Sequence, residues 1–536
     1  MDEQLLISDI LEHAAAIHGE AQIVSRCSSK AIYRYSYSDA LRRTKQLANA
    51  LDRLGVTRGQ CVGTLAWNDH RHFELYFAIS GIGAVTHTIN PRQSANQIGY
   101  IINHAENKYI FLDPDFVPLL EAMKSEITGV IGFIVLANSE DMPTTNLPNV
   151  YCYEELIKAE PESYTWPKFS DSIAAGLCYT SGTTGSPKGV LYSHRSTMQH
   201  ARAVSGGEGW SLNGFSSVLP VVPMFHASAW GIPYSAPMLG SKLVLPGGAL
   251  DGESLFELID KEKVDSMCGV PTVWQGLLRY LDETGQTLQS VNTVVVGGSA
   301  VPLSMIQEFE DKHDAFVMHG WGMTEMSPVG AVNYLTPALQ GMPRAERHQL
   351  QLKQGKPLFG IQMKIIDDDG AELARDGKSY GRLLVKGPWV AKSYFKNEDR
   401  SAFKEDGWFD TGDISTIDRH GYMQIVDRAK DVIKSGGEWI SSIEIENAAL
   451  GFEGVTEACV IAAIHSKWGE RPLLLITTDR PISKVSILDY LSVRLPKMAL
   501  PDDVIVVDEL PHSPTGKLLK KDLRESFQDY LVSKKH

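Results

Sequence analysis

The sequence predicts an α/β fold: a large N-terminal part of α/β subdomains plus a small β subdomain, then a hinge and a small α+β C-terminal domain. Three observations carry this. The chain has 536 residues, too many for one hydrophobic core, since cores stop growing near ~250–300 residues. Short β-branched runs alternate with amphipathic helical patterns through about the first 335 residues, as expected of parallel strands joined by helices. Beyond that the pattern changes twice, first to short strands and turns, then to a mixed strand and helix pattern of domain size.

Taken in order, "IAAGLCY" reads as a buried strand, and "KLVLPGG", "VDSMCGV" and "NTVVVGGSA" as further strands. Each of the last three precedes a helical pattern: "GESLFELIDKEK", "PTVWQGLLRYLDET" and "VPLSMIQEFEDKH". Ligands of such sheets tend to bind at the carboxyl ends of the strands. Residues 336–355 are polar and predicted to be a loop. "IQMKIIDDDGAEL", "YGRLLVKG" and "GYMQIV" give the small β subdomain, and "DRAKDVIKSGGEW", charged and then glycine-rich, reads as a hinge. Strands "EACVIAAI", "PLLLITT" and "VIVVDEL", the helix "SILDYLSVRL" and a basic tail helix complete the chain. The expected boundaries are 1–427 (α/β to about 335, β-rich from about 356), a 428–433 linker, and 434–536.

A net charge of −14 argues against a basic nucleic-acid footprint or attraction to an anionic membrane. The charge is uneven. From Arg428 onward 15 Lys and Arg face 16 Asp and Glu, so the nearly neutral C-terminal part can approach an anionic ligand more easily than the rest. Six scattered cysteines without a C-x-x-C pair argue against a disulfide framework or zinc site and fit a reducing compartment. Cys178 reads as a small buried residue. The acidic start "MDEQLLISDI" lacks a basic n-region, the apolar "LYFAISGIGAV" is far too short to span a bilayer, and "SKKH" is no peroxisomal address. The expected location is the cytoplasm.

"YTSGTTGSPKGV" at 179–190 combines hydroxyls, glycines and a lysine. Gly182 and Gly185 do not have P-loop spacing, and Pro187 disfavours helix at Ser186, where a P-loop helix would begin. Converging backbone N–H groups and hydroxyl donors still suit a phosphate. The stretch resembles the signature of the adenylate-forming enzymes: acyl-CoA synthetases, luciferases and adenylation domains. The family's other motifs follow in order: "PMFHASAW" (223–230), "VVVGGSAVP" (294–302), "HGWGMTE" (319–325), "GWFDTGD" (407–413), "DRAKDVIKSGGEWISS" (427–442) and "PTGK" (514–517). The hinge motif resembles that of the fatty-acyl-CoA ligase branch, near its medium-chain and 3-(methylthio)propionyl-CoA members.

The resemblance implies a two-step reaction. A carboxylate attacks the α-phosphorus of ATP, giving an acyl-adenylate and pyrophosphate; the thiol of coenzyme A then displaces AMP. It implies that Thr180, Ser181, Gly182, Thr183, Thr184 and Lys188 hold the β- and γ-phosphates, and that Glu325 and Thr180 hold Mg²⁺. Thr324 would bond the α-phosphate, with Gly322 and Met323 beside the nucleotide. Trp321, where the family usually has tyrosine, would stack on adenine, and Gly297, Gly298, Ser299 and Ala300 would let the base approach the backbone. Asp413 and Arg428 would bind ribose, Lys430 would mark the pivot, and Lys434 would also contact the nucleotide. Lys517 would be the catalytic lysine that steadies the adenylating transition state. Rotation of the mobile C-terminal domain would withdraw it and bring Ser435, Gly436, Gly437, Glu438 and Trp439 to coenzyme A. A capping box from Ser441 to Glu444 would start a helix there. His226 would border the acyl carboxylate, with Trp230 as a gate and Gly231, Gly297 and Ala300 beside the acyl group. His70 and His72 are read as structural.

The expected partners are small molecules (a carboxylic acid, ATP and coenzyme A), with a homodimer as the expected assembly. Other classes fit less well. G-x-S-x-G and H-E-x-x-H are absent. "ASAW" carries no acid to meet an amino acid's ammonium. Delivery to a carrier protein and a non-catalytic nucleotide sensor remain as alternatives; the intact Lys517, Glu325 and Asp413 weigh against the sensor.

Overall fold

Parallel strands need crossovers, and the helical patterns between the β-branched runs supply them. The computed structural model describes residues 3–180, 186–334, 336–337, 341–397, 399–436, 438–512 and 518–533. It contains a nine-stranded and a seven-stranded sheet, a four-stranded sheet and a five-stranded sheet. In the nine-stranded sheet, strands Phe316–Gly322, Thr293–Val296, Ser266–Gly269, Ser217–Pro220, Lys242–Leu245 and Gln22–Arg26 run parallel in that order. The expected crossover helices are there, at Gly252–Glu262, Pro271–Thr284 and Leu303–His313. Their apolar faces close on the sheet: Trp274, Leu277, Ile306 and Phe309 are fully buried beside Val294 and Val296.

The seven-stranded sheet ends on an antiparallel pair, Ala174–Tyr179 with Gly189–Ser193. Its Leu177 and Tyr179 sit in the core with Ile110 and Leu112 from the strand Tyr109–Leu112 of the same sheet. The four-stranded antiparallel sheet comprises Gln362–Ile366, Tyr380–Lys386, Phe409–Ile417 and Met423–Arg428. The chain then enters the five-stranded sheet at Ile433–Ser435. The long hairpin of that sheet, Val455–His465 with Gly469–Thr478, is flanked by Asp503–Val506 running parallel.

One expectation is corrected. Residues 336–355 do not form only a loop: Arg344–Gln351 is a helix. Its inward face is polar, which hid it from an apolar count. His348 and Gln351 are buried on Glu310, the imidazole Nε2 lying 3.0 Å from Oε2 and the amide donating to Oε1 at 2.7 Å. The helix Ser442–Leu450 starts at Ser441, whose hydroxyl accepts from the Glu444 N–H at 3.1 Å. Ser441 also donates to the Val426 carbonyl and so ties the helix to the strand before the linker. His70 and His72 are buried, and burial pushes the His72 imidazole down to about 4. Among the described residues no helix is long and apolar enough to cross a membrane.

Candidate active site

A cavity of about 660 Å³ lies between the large N-terminal part and the five-stranded-sheet region. Strand ends and the loops after them position its N-terminal wall. Thr180 follows Ala174–Tyr179, and its N–H donates to the Lys188 carbonyl at 2.9 Å. The described ends of the phosphate-type motif therefore pair as antiparallel strands, and Gly189–Ser193 is a strand where a P-loop would have a helix. Lys188 meets Asp399 at 3.1 Å, its ammonium 4.7 Å from the centre of the Tyr394 ring. Ser401 and Lys188 lower the Asp399 carboxyl to about 2.

Strand Phe316–Gly322 delivers Trp321, and the short turn Thr324–Met326 delivers Thr324 and Glu325; all three are buried and line the cavity. Glu325 is held at both ends. Its carbonyl accepts from the Ala391 N–H at 2.7 Å, and its Oε1 accepts from the Tyr394 hydroxyl at 2.8 Å. Burial, followed by the Glu325 charge, pushes the Tyr394 phenol up, so it stays a donor. The Tyr192 hydroxyl donates to the Thr324 carbonyl at 2.8 Å. The Trp321 indole donates to Asp413 Oδ2 at 3.2 Å, and Arg428 pairs with Asp413 Oδ1 at 3.0 Å. Asp413 and Arg428 face each other across neighbouring strands, so sheet register fixes the pair. Gly298, Ser299, Ala300, Gly322, Met323 and Lys430 also line the cavity.

The residues 223–231 form the apolar side. His226 and Trp230 line the cavity. From Ala227 to Trp230 every residue is left-handed, with φ of 46°, 52°, 46° and 56°, and Gly231 follows at 84°. Such a conformation costs roughly 1–2 kcal/mol per non-glycine residue. The Ala227 N–H, donating to Cys178 Sγ at 3.4 Å, anchors its start, and the Tyr76 hydroxyl donates to the Met224 carbonyl just before it. Gly231 is required twice over: its φ is positive, and an added methyl would lie 2.8 Å from the buried His200 ring. Gly297 sits behind Trp230, where a methyl would lie 3.0 Å from the indole.

The C-terminal wall is contributed by His512, Leu518, Leu519, Lys520 and Lys521 among others. His512 and Leu518 bridge each other, and His512 Nε2 lies 3.1 Å from Glu457. Lys520 is buried against Glu446 at 2.7 Å; burial opposes its charge, but Glu446 and Asp427 hold the ammonium above its usual range. Lys434, Ser435 and Gly436 are elsewhere, on the hairpin edge of the five-stranded sheet. The Lys434 N–H donates to Glu470 at 2.7 Å, and the Gly436 N–H to the Trp468 carbonyl at 2.9 Å. The expected residues Ser181, Gly182, Thr183, Thr184, Gly437 and Lys517, and the side chains of Glu438 and Trp439, lie outside the described residues.

Tyr394, Asp399 and Tyr192 escaped the sequence reading. Each acts through a partner distant in the chain, and no local pattern marks it.

The AMP-binding enzyme family matches residues 11–395, and the C-terminal domain of AMP-binding enzymes matches 444–517. The chain belongs to the AMP-binding enzyme family. It is similar to a medium-chain-fatty-acid–CoA ligase of Ectopseudomonas oleovorans (46% identical over 99% of this chain and 98% of the relative). It is also similar to a 3-methylmercaptopropionyl-CoA ligase of Ruegeria lacuscaerulensis (44% identical over 99% of each). The fold matches a crystal structure of an anthranilate CoA ligase in complex with anthranoyl-AMP, with a TM-score of 0.87 at 23% identity over 98% of each chain.

Proposed function

We propose that this chain is an ATP-dependent acid–thiol ligase that activates a fatty or short- to medium-chain carboxylic acid, 3-(methylthio)propionate among the candidates. It forms an acyl-adenylate and pyrophosphate, then transfers the acyl group to coenzyme A and releases AMP. One observation carries the reading. A single cavity joins Thr180, Thr324, Glu325 and Trp321 to the apolar stretch around His226 and Trp230, and it is closed by His512 and Leu518, the residues on either side of the segment that holds Lys517.

The chemical demand of the first step is charge: a carboxylate must approach a polyanion. Trp321 offers a face for adenine and Asp413 an acceptor for ribose, with its position set by Arg428 and the indole N–H. Lys188 and residues 181–184 would take the outer phosphates. The donor set fits Mg²⁺: one buried carboxylate, Glu325, and the Thr180 hydroxyl leave room for phosphate oxygens and water, as this ion prefers. Bound there, Mg²⁺ would offset phosphate charge. Glu325 is oriented for it by Tyr394.

The domain organisation follows: residues 1–427 bind, 428–433 pivot, and 434–536 present Lys517 for the first step and the 435–439 hairpin for the second. The present arrangement suits adenylation, because His512 and Leu518 line the cavity while Ser435 and Gly436 do not. Trp230 sits on a strained left-handed segment, as befits a group that moves. We place the enzyme in the cytoplasm and expect a homodimer, which light scattering checks.

The test is product analysis with ATP, Mg²⁺, coenzyme A and a panel of acids. AMP, pyrophosphate and acyl-CoA are expected; ADP as the main product would overturn the reading.

A further inference from the structure

The segment 391–395 is bonded to both halves of the expected phosphate site. The Ala391 N–H donates to the Glu325 carbonyl at 2.7 Å, and the Phe395 N–H to the carbonyl of Gly189, the residue after Lys188, also at 2.7 Å. Tyr394 stands between these ties. Its hydroxyl donates to Glu325 Oε1 at 2.8 Å, and the Lys188 ammonium lies 4.7 Å from the centre of its ring. Glu325 lines the cavity and Tyr394 does not, so the tyrosine supports the site from outside it. The ring has a fixed seat. It packs edge-on against Phe403 with centroids 5.2 Å apart, and it lies against buried Cys178, Val190 and Tyr192. Those three residues belong to the antiparallel pair that flanks the 179–190 motif.

Resting on the ligase reading above, we propose that Tyr394 is a positioning residue that couples the Mg²⁺ ligand to the phosphate lysine: its hydroxyl sets Glu325 for the ion, and its ring sets Lys188 for the outer phosphates of ATP. Among the described residues, Tyr394 is the only side chain that hydrogen-bonds to the Glu325 carboxylate. That bond occupies Oε1 and leaves Oε2 for a cation, as outer partners of metal-binding carboxylates do. Lysine carries its charge on a flexible stem, and an aromatic face limits where the ammonium rests. An incoming phosphate competes with Asp399 for that ammonium but not with the ring. The two contacts can be removed one at a time. Tyr394→Phe deletes the hydroxyl and keeps the ring, and Tyr394→Leu deletes both.

The test is ATP binding to the full-length protein by calorimetry, once with Mg²⁺ and once with EDTA. No acid or coenzyme A is present, so nothing turns over. The readout is the ratio of the Kd in EDTA to the Kd with Mg²⁺. The fraction of variant that folds does not alter it, and a merely structural defect does not single out the metal. In the wild type Mg²⁺ should tighten binding. In Tyr394→Phe the ratio should fall about tenfold, the scale of a hydrogen bond to a charged group. Its Kd in EDTA should stay within about twofold of wild type, because the ring still carries Lys188. In Tyr394→Leu the ratio should fall as far, and the Kd in EDTA should also rise about three- to tenfold. A wild type indifferent to Mg²⁺, a ratio in Tyr394→Phe within about twofold of wild type, or the same Kd in EDTA for both variants would overturn the proposal and leave the ligase reading standing. Wild-type protein that binds no ATP under either condition would take down both.

Discussion

The two walls of the cavity are built differently. On the N-terminal wall the polar groups are buried and bonded to neighbours: Glu325 is 6% exposed and Trp321 8%, and the Trp321 indole donates to Asp413, itself 2% exposed. Strand register and short turns fix them, so this wall is preorganised for a nucleotide. The C-terminal wall is attached along a seam of polar contacts near the linker. Ser442 donates to Asp427 from its N–H at 2.8 Å and from its hydroxyl, and Arg524 reaches the Lys430 carbonyl and, at 2.7 Å, Asp431. Such contacts are polar and can be exchanged for other polar partners, although Ser442 and Asp427 are buried, whereas the other wall is set into the sheets. Recognition belongs to the fixed wall and the change of reaction step to the detachable one.

Glu325→Gln attacks the fixed wall where charge matters most. Overall AMP formation should drop ~10²–10³-fold, with a raised Mg²⁺ requirement in a titration; a loss that excess Mg²⁺ does not touch would separate Glu325 from the ion. Asp413→Asn keeps the shape but discards the charge facing Arg428. The KM for ATP should rise about tenfold, in line with a charge-assisted hydrogen bond, and the KM for the acid should hold. Arg524→Ala loosens the seam. Adenylation should slow about three- to tenfold in rapid-quench assays while thioester formation from supplied acyl-adenylate does not, because only the present arrangement loses contacts. Asp399→Ala should change turnover by less than about twofold, since its pair with Lys188 is exposed; a larger effect would mean that Asp399 positions Lys188 for phosphate.

The sequence made the strands and crossover helices legible because their apolar periods are strong: the helix read from "PTVWQGLLRYLDET" is Pro271–Thr284. It missed Arg344–Gln351 because that helix buries His348 and Gln351 on Glu310 instead of an apolar stripe. At the site, Glu325, Trp321 and Asp413 stood out through motif spacing, but their supports did not. Tyr394 lies 69 positions from Glu325, and Asp399 lies 211 from Lys188. Nor does any local pattern announce the left-handed run at 227–230, since it depends on what packs around it.

The claim that the detachable wall serves the two steps with different residues is tested most directly by measuring each half-reaction separately in Lys517→Ala and Gly437→Leu. Lys517→Ala should slow acyl-adenylate formation ~10²–10³-fold and still convert supplied acyl-adenylate and coenzyme A to thioester. Gly437→Leu should do the reverse, because a bulky side chain obstructs the thiol's approach. Equal slowing of both steps by Lys517→Ala, or a Gly437→Leu defect centred on adenylation, would contradict the account.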